Sequence, residues 1–363
     1  MKVALVHDFL LKLGGAERVL KVFSEMYPDA PIFTLLYDEK TVSSVFPKEK
    51  VRASFLQNYP SFLRKKHRLL THKMPRAIEE FDFSGFDLVI SSSSAFSHGI
   101  VVPVETKHVC YCHSPMRYAW DHASAYLDEN NIKGFTKVVY AWLISRLREW
   151  DDVAGVRPDK YIANSETVSK RLKKYYRVDS SVVFPPVDVH KFKVTEKNSD
   201  YFLIVSTLTP YKKIDLAVQL FNKIGRQLVI IGEGSHKRYL QAIAAENIDF
   251  LGFKNDEEVR EYIQNCRALI FPGEDDFGIV PVEAMACGKP VLAYGKGGAL
   301  ETVIPGKTGE FFFEPTVEAM EDALARLIYN EKIYKPLAIR LHANQFDREI
   351  FEKNIKKEIA SVL

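Results

Sequence analysis

Phe271-Pro-Gly-Glu-Asp-Asp-Phe-Gly-Ile-Val-Pro-Val-Glu-Ala-Met-Ala-Cys-Gly288 decides how this chain is read. The apolar run Ala268–Phe271 stops at a proline and a glycine, and a helical pattern starts near Val280. A buried strand feeding a helix through a short polar turn is the unit of a parallel α/β sheet. Pro281 suits a first helical position, where its missing N–H is not needed. The amides of Gly278, Ile279 and Val280 are then unpaired donors at the positive end of a helix, which suits phosphate. Gly278 lets the backbone come close to a ligand. Glu283 is expected in the first turn, where a carboxylate can accept from two vicinal hydroxyls, as on a ribose. Asp275, with seven residues between it and Glu283, can reach the hydroxyls of a sugar. The plainer explanation is that both acids simply favour a helix N-terminus. The coincidence of glycine, proline and two acids favours a ligand.

The same strand–turn–helix grammar runs outward in both directions. Short apolar runs recur at 3–6, 88–90, 108–112 and 161–163. They recur again at 202–205, 228–231, 250–251, 291–293 and 310–313. Several are rich in Val and Ile without alternation, as strands buried on both faces should be. Helical stretches lie between them, at 16–26, 165–175, 214–223, 257–264 and 317–329. The series restarts after Phe184-Pro-Pro-Val-Asp188, where polar Lys193–Asp200 leads into a new strand at Tyr201. With 363 residues, two domains are expected. We place them at 1–190 and 191–346, each a Rossmann-like sheet with ligands at the carboxyl ends of its strands.

Composition narrows the classes. Apolar residues make up 47% and charged residues 27%, as in a soluble globular protein. The net charge of +3 does not suit a polyanion binder, and no nucleic-acid motif is present, so no nucleic-acid partner is expected. Four cysteines are too few for a disulfide framework, which points to a reducing compartment. The first apolar run is broken by His7 and Asp8, too soon for a signal peptide. No window approaches the roughly 18 apolar residues of a membrane span. A cytoplasmic protein is expected, working at the inner face of the cytoplasmic membrane. The segment Arg64–Arg76 supports that placement. Within Phe62–Arg76 there are six Lys or Arg and two His, mixed with Phe and Leu and with no acid. Such a stretch can lie on an anionic membrane, or it is simply a solvated face. The helix 140–150, with Trp142, Leu143, Ile144 and Trp150, can add apolar surface.

Further elements are weaker alone. Ser206–Asp215 follows a strand and carries Lys212, a point cation for a diphosphate or one of a solvated pair. Gly14-Gly15 opens the first helix, as a phosphate loop or a tight turn. Gly295–Glu301 is a strand followed by a glycine turn, weak by itself. His113 follows the strand 108–112, at a position where a histidine is more often structural. The string His108-x-Cys110-x-Cys112-His113 resembles a metal cluster. Alternate residues of one strand stand about 7 Å apart, too far to share ligand distances near 2.0–2.3 Å. Gly232-Glu-Gly-Ser-His-Lys237 lacks the third glycine of a dinucleotide fingerprint.

Taken in order, Gly14-Gly-Ala-Glu-Arg18, Cys112-His-Ser-Pro-Met-Arg-Tyr118 and Pro272–Gly278 with Glu283 resemble the retaining glycosyltransferases of family 4. Within that family they resemble the bacterial GDP-mannose-dependent mannosyltransferases of O-antigen and exopolysaccharide assembly. The resemblance covers the whole chain and implies the GT-B fold, two Rossmann-like domains facing across a central cleft. It implies that the last helix, 347–363, packs back on an acceptor-binding N-terminal domain. It implies that Glu283 holds the ribose and that the amides after Phe277, at Gly278 and Ile279, hold the diphosphate beside Lys212 and Gly15. The turn at Gly252 and Phe253 would meet the base, Asp275 the sugar, and His113 a sugar hydroxyl. No cofactor and no metal is implied. The partners would be a nucleotide-sugar donor and a saccharide or lipid-linked acceptor. Two positions depart from the family pattern: Thr207 stands where arginine is usual, and Asp275 where glutamate is usual, with Glu274 beside it as the alternative. A UDP-sugar donor and a sugar-nucleotide epimerase on the same scaffold are the other readings.

Overall fold

Thirteen strands, all paired in parallel, form two separate sheets among the residues that the structure, a computed structural model, describes: 1–120, 135–195 and 199–363. The chain divides into two compact units. Unit 1 is Met1–Pro186 with Phe351–Leu363, and unit 2 is Val187–Ile350.

Unit 1 contains β1 (Val3–Leu10), β2 (Ile32–Tyr37), β3 (Val51–Ala53), β4 (Leu88–Ser93), β5 (Lys107–Cys112), β6 (Lys160–Ala163) and β7 (Ser180–Val182). Their order is β3-β2-β1-β4-β5-β6-β7. Unit 2 contains β8 (Tyr201–Val205), β9 (Gln227–Ile231), β10 (Ile248–Gly252), β11 (Ala268–Phe271), β12 (Val291–Tyr294) and β13 (Gly309–Phe312), in the order β10-β9-β8-β11-β12-β13. Each sheet grows outward from its first strand in both directions. The connections therefore diverge between β1 and β4 and between β8 and β11, which opens a crevice at the carboxyl edge there. Among the described residues, the helices of eight residues or more are α1 (Gly15–Met26), α2 (Phe135–Ala154), α3 (Glu166–Tyr175), α4 (Ile214–Ile224), α5 (Asp256–Asn265), α6 (Ile279–Ala286), α7 (Val317–Tyr329), α8 (Pro336–Ala343) and α9 (Arg348–Ala360).

Burial explains the sheet positions. Every residue of β2 and β4 is buried, whereas the short β3 and β7 at the sheet edges are only partly covered. The last helix belongs to the unit 1 core. Phe351, Ile355 and Ile359 of α9 are buried in one cluster with Phe23 of α1 and Tyr111 of β5. The Phe351 ring lies 5.6 Å from each of those two rings. Full burial of each such side chain contributes about 1.5–3 kcal/mol.

One buried acid organises the unit 1 crevice. Asp8, near the end of β1, accepts four backbone N–H bonds from Ser94, Ala95, Phe96 and Ser97, at 2.6–2.9 Å. A carboxylate can accept that many donors, and it ties the loop after β4 to β1. Among the described residues no helix is long and apolar enough to cross a membrane. All four cysteines are free and buried.

Candidate functional site

The loops at the carboxyl edge of the unit 2 sheet pack onto one another. In the loop after β8, Thr207 is exposed, and Pro210–Lys212 forms a single tight turn ahead of α4. Lys212 forms an ion pair with Asp275 of the loop after β11, and both side chains are largely withdrawn from solvent. The Gly298 N–H, after β12, donates to the Asp275 carbonyl at 2.9 Å. Two of the sequence-predicted residues, Lys212 and Asp275, are thus brought into contact.

The helix after that loop starts one residue earlier than expected. Gly278 caps α6 at φ +85°, a left-handed conformation that favours glycine. Pro281 is therefore the third helical residue rather than the first, and Glu283 is the fifth, beyond the first turn. The reason is local: Gly278 ends the extended loop, so Ile279 already takes helical angles. The opening N–H groups of a helix have no intrahelical partner, and those of Ile279 and Val280 are among them. Glu283 is buried, about one helical turn below those amides. The Phe277 ring is buried, edge-on to Phe346 at 5.7 Å, which leaves its backbone toward the loop.

At the end of β10, Gly252 turns the chain at φ +70° and leaves Phe253 79% exposed. The Gly252 carbonyl accepts from Gly232 at 2.8 Å, so this turn is fixed to the loop after β9. The glycines of that loop are explained by close packing, not by a dinucleotide. A Cβ on Gly234 would lie 2.1 Å from the Leu208 carbonyl oxygen.

In unit 1, His113 follows β5 and its Nε2 lies 2.8 Å from Ser92 Oγ at the end of β4. Burial, with the neighbouring His7, pushes its pKa down to about 3, so the ring is neutral at neutral pH. His7 Nδ1 lies 3.0 Å from the Ser92 carbonyl, and its Nε2 lies 3.8 Å from Glu17 of α1. Burial raises the Glu17 pKa, but the adjacent His7 imidazole outweighs it and holds the carboxyl below its ordinary value. Glu17 also accepts from the Gly14 N–H at 2.9 Å. Gly15, the first residue of α1, is exposed. Sequence reasoning missed His7, Glu17 and Ser92, although Glu17 lies within the quoted Gly14-Gly-Ala-Glu-Arg18 and His7 breaks the first apolar run.

The tempting His–Cys string is dispersed by the sheet. His108 is buried and bonded to Ser91 at 2.7 Å, and Cys110 and Cys112 pack with Tyr161 and Tyr176.

Beside that crevice lies a mainly apolar cavity of about 220 Å³. Phe9 and Phe96 line it from the sheet side, His67 and Met74 from the basic segment, and Tyr140 and Leu143 from α2. The basic segment is not one continuous amphipathic element. It forms a helix at Ser61–Lys65, a tight helix at His67–Lys73 and a helix at Met74–Glu79, which bury Leu70 and Met74 and expose Phe62 and Leu69. On α2, Trp142 is exposed with Val138 and Val139, but Ile144 is buried. Trp150 is withdrawn, donating to Glu79 at 2.8 Å.

Comparison with known proteins agrees with this architecture. Residues 13–191 match the model of glycosyltransferase family 4, and residues 187–343 match that of the group 1 glycosyl transferases. An uncharacterized glycosyltransferase of Methanocaldococcus jannaschii is 25% identical over 345 residues, 93% of this chain and 91% of that protein. The human alpha-1,3/1,6-mannosyltransferase ALG2 is 24% identical over 354 residues, 86% of this chain and 78% of that protein. Among solved structures, Anabaena HepE in complex with UDP-glucose aligns with a TM-score of 0.72 at 19% identity, covering 99% of this chain and all of that one. At that identity the likeness shows the fold alone, which is GT-B.

Proposed function

We propose that this glycosyltransferase, whose two units carry family 4 and group 1 domains, transfers mannose from GDP-mannose with retention to a lipid-linked or saccharide acceptor in cell-surface polysaccharide assembly. The observation that carries the reading is the convergence of Lys212, Asp275 and the Gly278-capped start of α6 at one sheet edge. A cation and unpaired helix amides suit a diphosphate, and their charge stabilises it as it leaves. No metal is needed for that balance. Asp275 would exchange Lys212 for a sugar hydroxyl once the diphosphate is bound. Glu283 would take the ribose, the exposed Phe253 ring would cover the base, and Thr207 would add polar backbone around the phosphates. Alpha-mannosyltransferases among the relatives support mannose over other hexoses.

Unit 1 would hold the acceptor. His113 would meet a sugar hydroxyl, and the apolar cavity beside the crevice would seat the apolar part of a lipid-linked acceptor. Phe62, Leu69 and Trp142, flanked by the cations of Arg64–Arg76, would rest on an anionic membrane at the cytoplasmic face. The test is incubation of the purified chain with GDP-mannose and a panel of lipid-linked and free saccharides. Transfer of mannose with an axial product linkage is expected. Turnover of UDP-sugars alone, or interconversion of donors without acceptor, would remove the reading.

A further inference from the structure

The hydrogen-bond inventory around His113 determines more than its neighbours. The Ser92 carbonyl can only accept, so His7 Nδ1, 3.0 Å away, carries a proton and donates to it. That nitrogen is also 3.1 Å from Ser92 Oγ, so the hydroxyl faces a donor on that side. Among the described residues, the remaining partner for the Ser92 hydroxyl proton is His113 Nε2 at 2.8 Å. A neutral imidazole that accepts at Nε2 bears its proton on Nδ1.

From this we infer that Glu17, His7 and Ser92 are positioning residues that hold His113 as the neutral Nδ1–H tautomer, with that N–H directed to a sugar oxygen. The inference rests on the proposed role of His113 at a sugar hydroxyl. Glu17 sets the far end of the chain, since it faces His7 Nε2 and grips the Gly14 N–H at the loop that opens α1. The glycine loop and the sugar-facing histidine are thereby joined through hydrogen bonds and one carboxylate–imidazole contact of 3.8 Å. The strand pairing supplies the geometry: His7 of β1 stands opposite Ser92 of β4, and the His113 N–H donates to the Ser93 carbonyl. Burial disfavours the charged ring, so no second proton competes for Nε2. Tyr111, edge-on to His113 at 5.2 Å, fixes the plane of the ring.

The test is direct. Full-length protein labelled with ¹⁵N-histidine reports the protonation of each ring nitrogen, and His113→Gln identifies the signals that belong to this ring. The expected spectrum shows His113 protonated at Nδ1 and bare at Nε2. Ser92→Ala should populate the other tautomer and lower kcat about tenfold, with KM for the donor within about twofold. Ser92→Thr, which keeps the hydroxyl, should restore both. A wild-type ring protonated at Nε2 overturns the inference, and this measurement needs no variant to fold. A Ser92→Ala protein with unchanged tautomer and unchanged kcat overturns it as well. The spectrum requires no turnover, so the expected tautomer in a chain that transfers no sugar would remove the functional reading and leave this assignment standing.

Discussion

Replacing Lys212 by alanine removes the cation proposed to balance the donor diphosphate. The side chains of Lys212 and Asp275 are 13% and 24% exposed, so the site is partly desolvated. At an effective dielectric of about 20, two unit charges about 4 Å apart attract by about 4 kcal/mol. Asp275 engages the ammonium in the free protein, which takes back part of that gain. A net loss of about 3–4 kcal/mol in the transition state lowers kcat by about 10²–10³. The folded state loses much less. An ion pair near the surface is worth about 1 kcal/mol at most, which moves the melting temperature of a domain of this size by about 2–4 °C. The assay is GDP release from GDP-mannose with a saccharide acceptor, run beside a thermal melt. Lys212→Arg keeps the charge and should recover part of the rate. A Lys212→Ala protein within about threefold of wild-type kcat would refute the reasoning. So would one whose rate loss is matched by a melting point lower by more than about 10 °C, because the defect would then be structural.

Other consequences follow from the same geometry. Phe351→Ala should destabilise unit 1 by about 3–5 kcal/mol, read from urea or thermal unfolding, because it opens a cavity against Phe23 and Tyr111. Gly234→Ala forces the loop after β8 to move away from a Cβ that would lie 2.1 Å from the Leu208 oxygen, so donor affinity should fall at least about tenfold in calorimetric titration. Gly225→Ala is the control. Its φ of +67° costs about 1 kcal/mol of stability, but the new Cβ meets nothing within 4 Å, and donor affinity should not change. His108 and His113 both have pKa values pushed down by burial to about 3, against an ordinary 6.5. The unfolded chain therefore binds their protons first. Their contribution is complete above pH 6.5 and is lost as pH falls toward 3, at up to about 1.4 kcal/mol per pH unit for each ring. Urea unfolding at a series of pH values checks the slope, and His108→Asn should flatten it.

Much of the fold could be read from the sequence because buried parallel strands carry an unmistakable pattern. Runs such as Leu228–Ile231 and Ala268–Phe271 lie where continuous apolar stretches placed them. The misses have physical reasons. β3 and β7 are sheet-edge strands of three residues, Val-Arg-Ala and Ser-Ser-Val, and partial burial asks for no apolar run. β2 was missed although Ile32–Tyr37 is a fully buried run set off by Pro28 and Pro31. The donor segment was placed to within two residues. Its helix start was misjudged because a proline fits the third position of a helix as well as the first, and only the left-handed Gly278 settles which. The Asp8 clamp and the Glu17–His7–Ser92 chain were not legible. Asp8 binds amides 86–89 residues away, and His7 meets Ser92 only through the pairing of β1 with β4. Sequence periodicity records which face of a strand is buried, but not which residue of a distant strand stands opposite.

The central proposal is that a guanosine diphosphate sugar is held at the Lys212–Asp275 edge of unit 2. Thermal unfolding of the full chain with GDP-mannose, UDP-glucose and ADP-glucose, each repeated on Lys212→Ala, addresses that claim most directly. A stabilisation by GDP-mannose alone that disappears in Lys212→Ala is the predicted result. Stabilisation by UDP-glucose alone, or an undiminished GDP-mannose shift in Lys212→Ala, would contradict it.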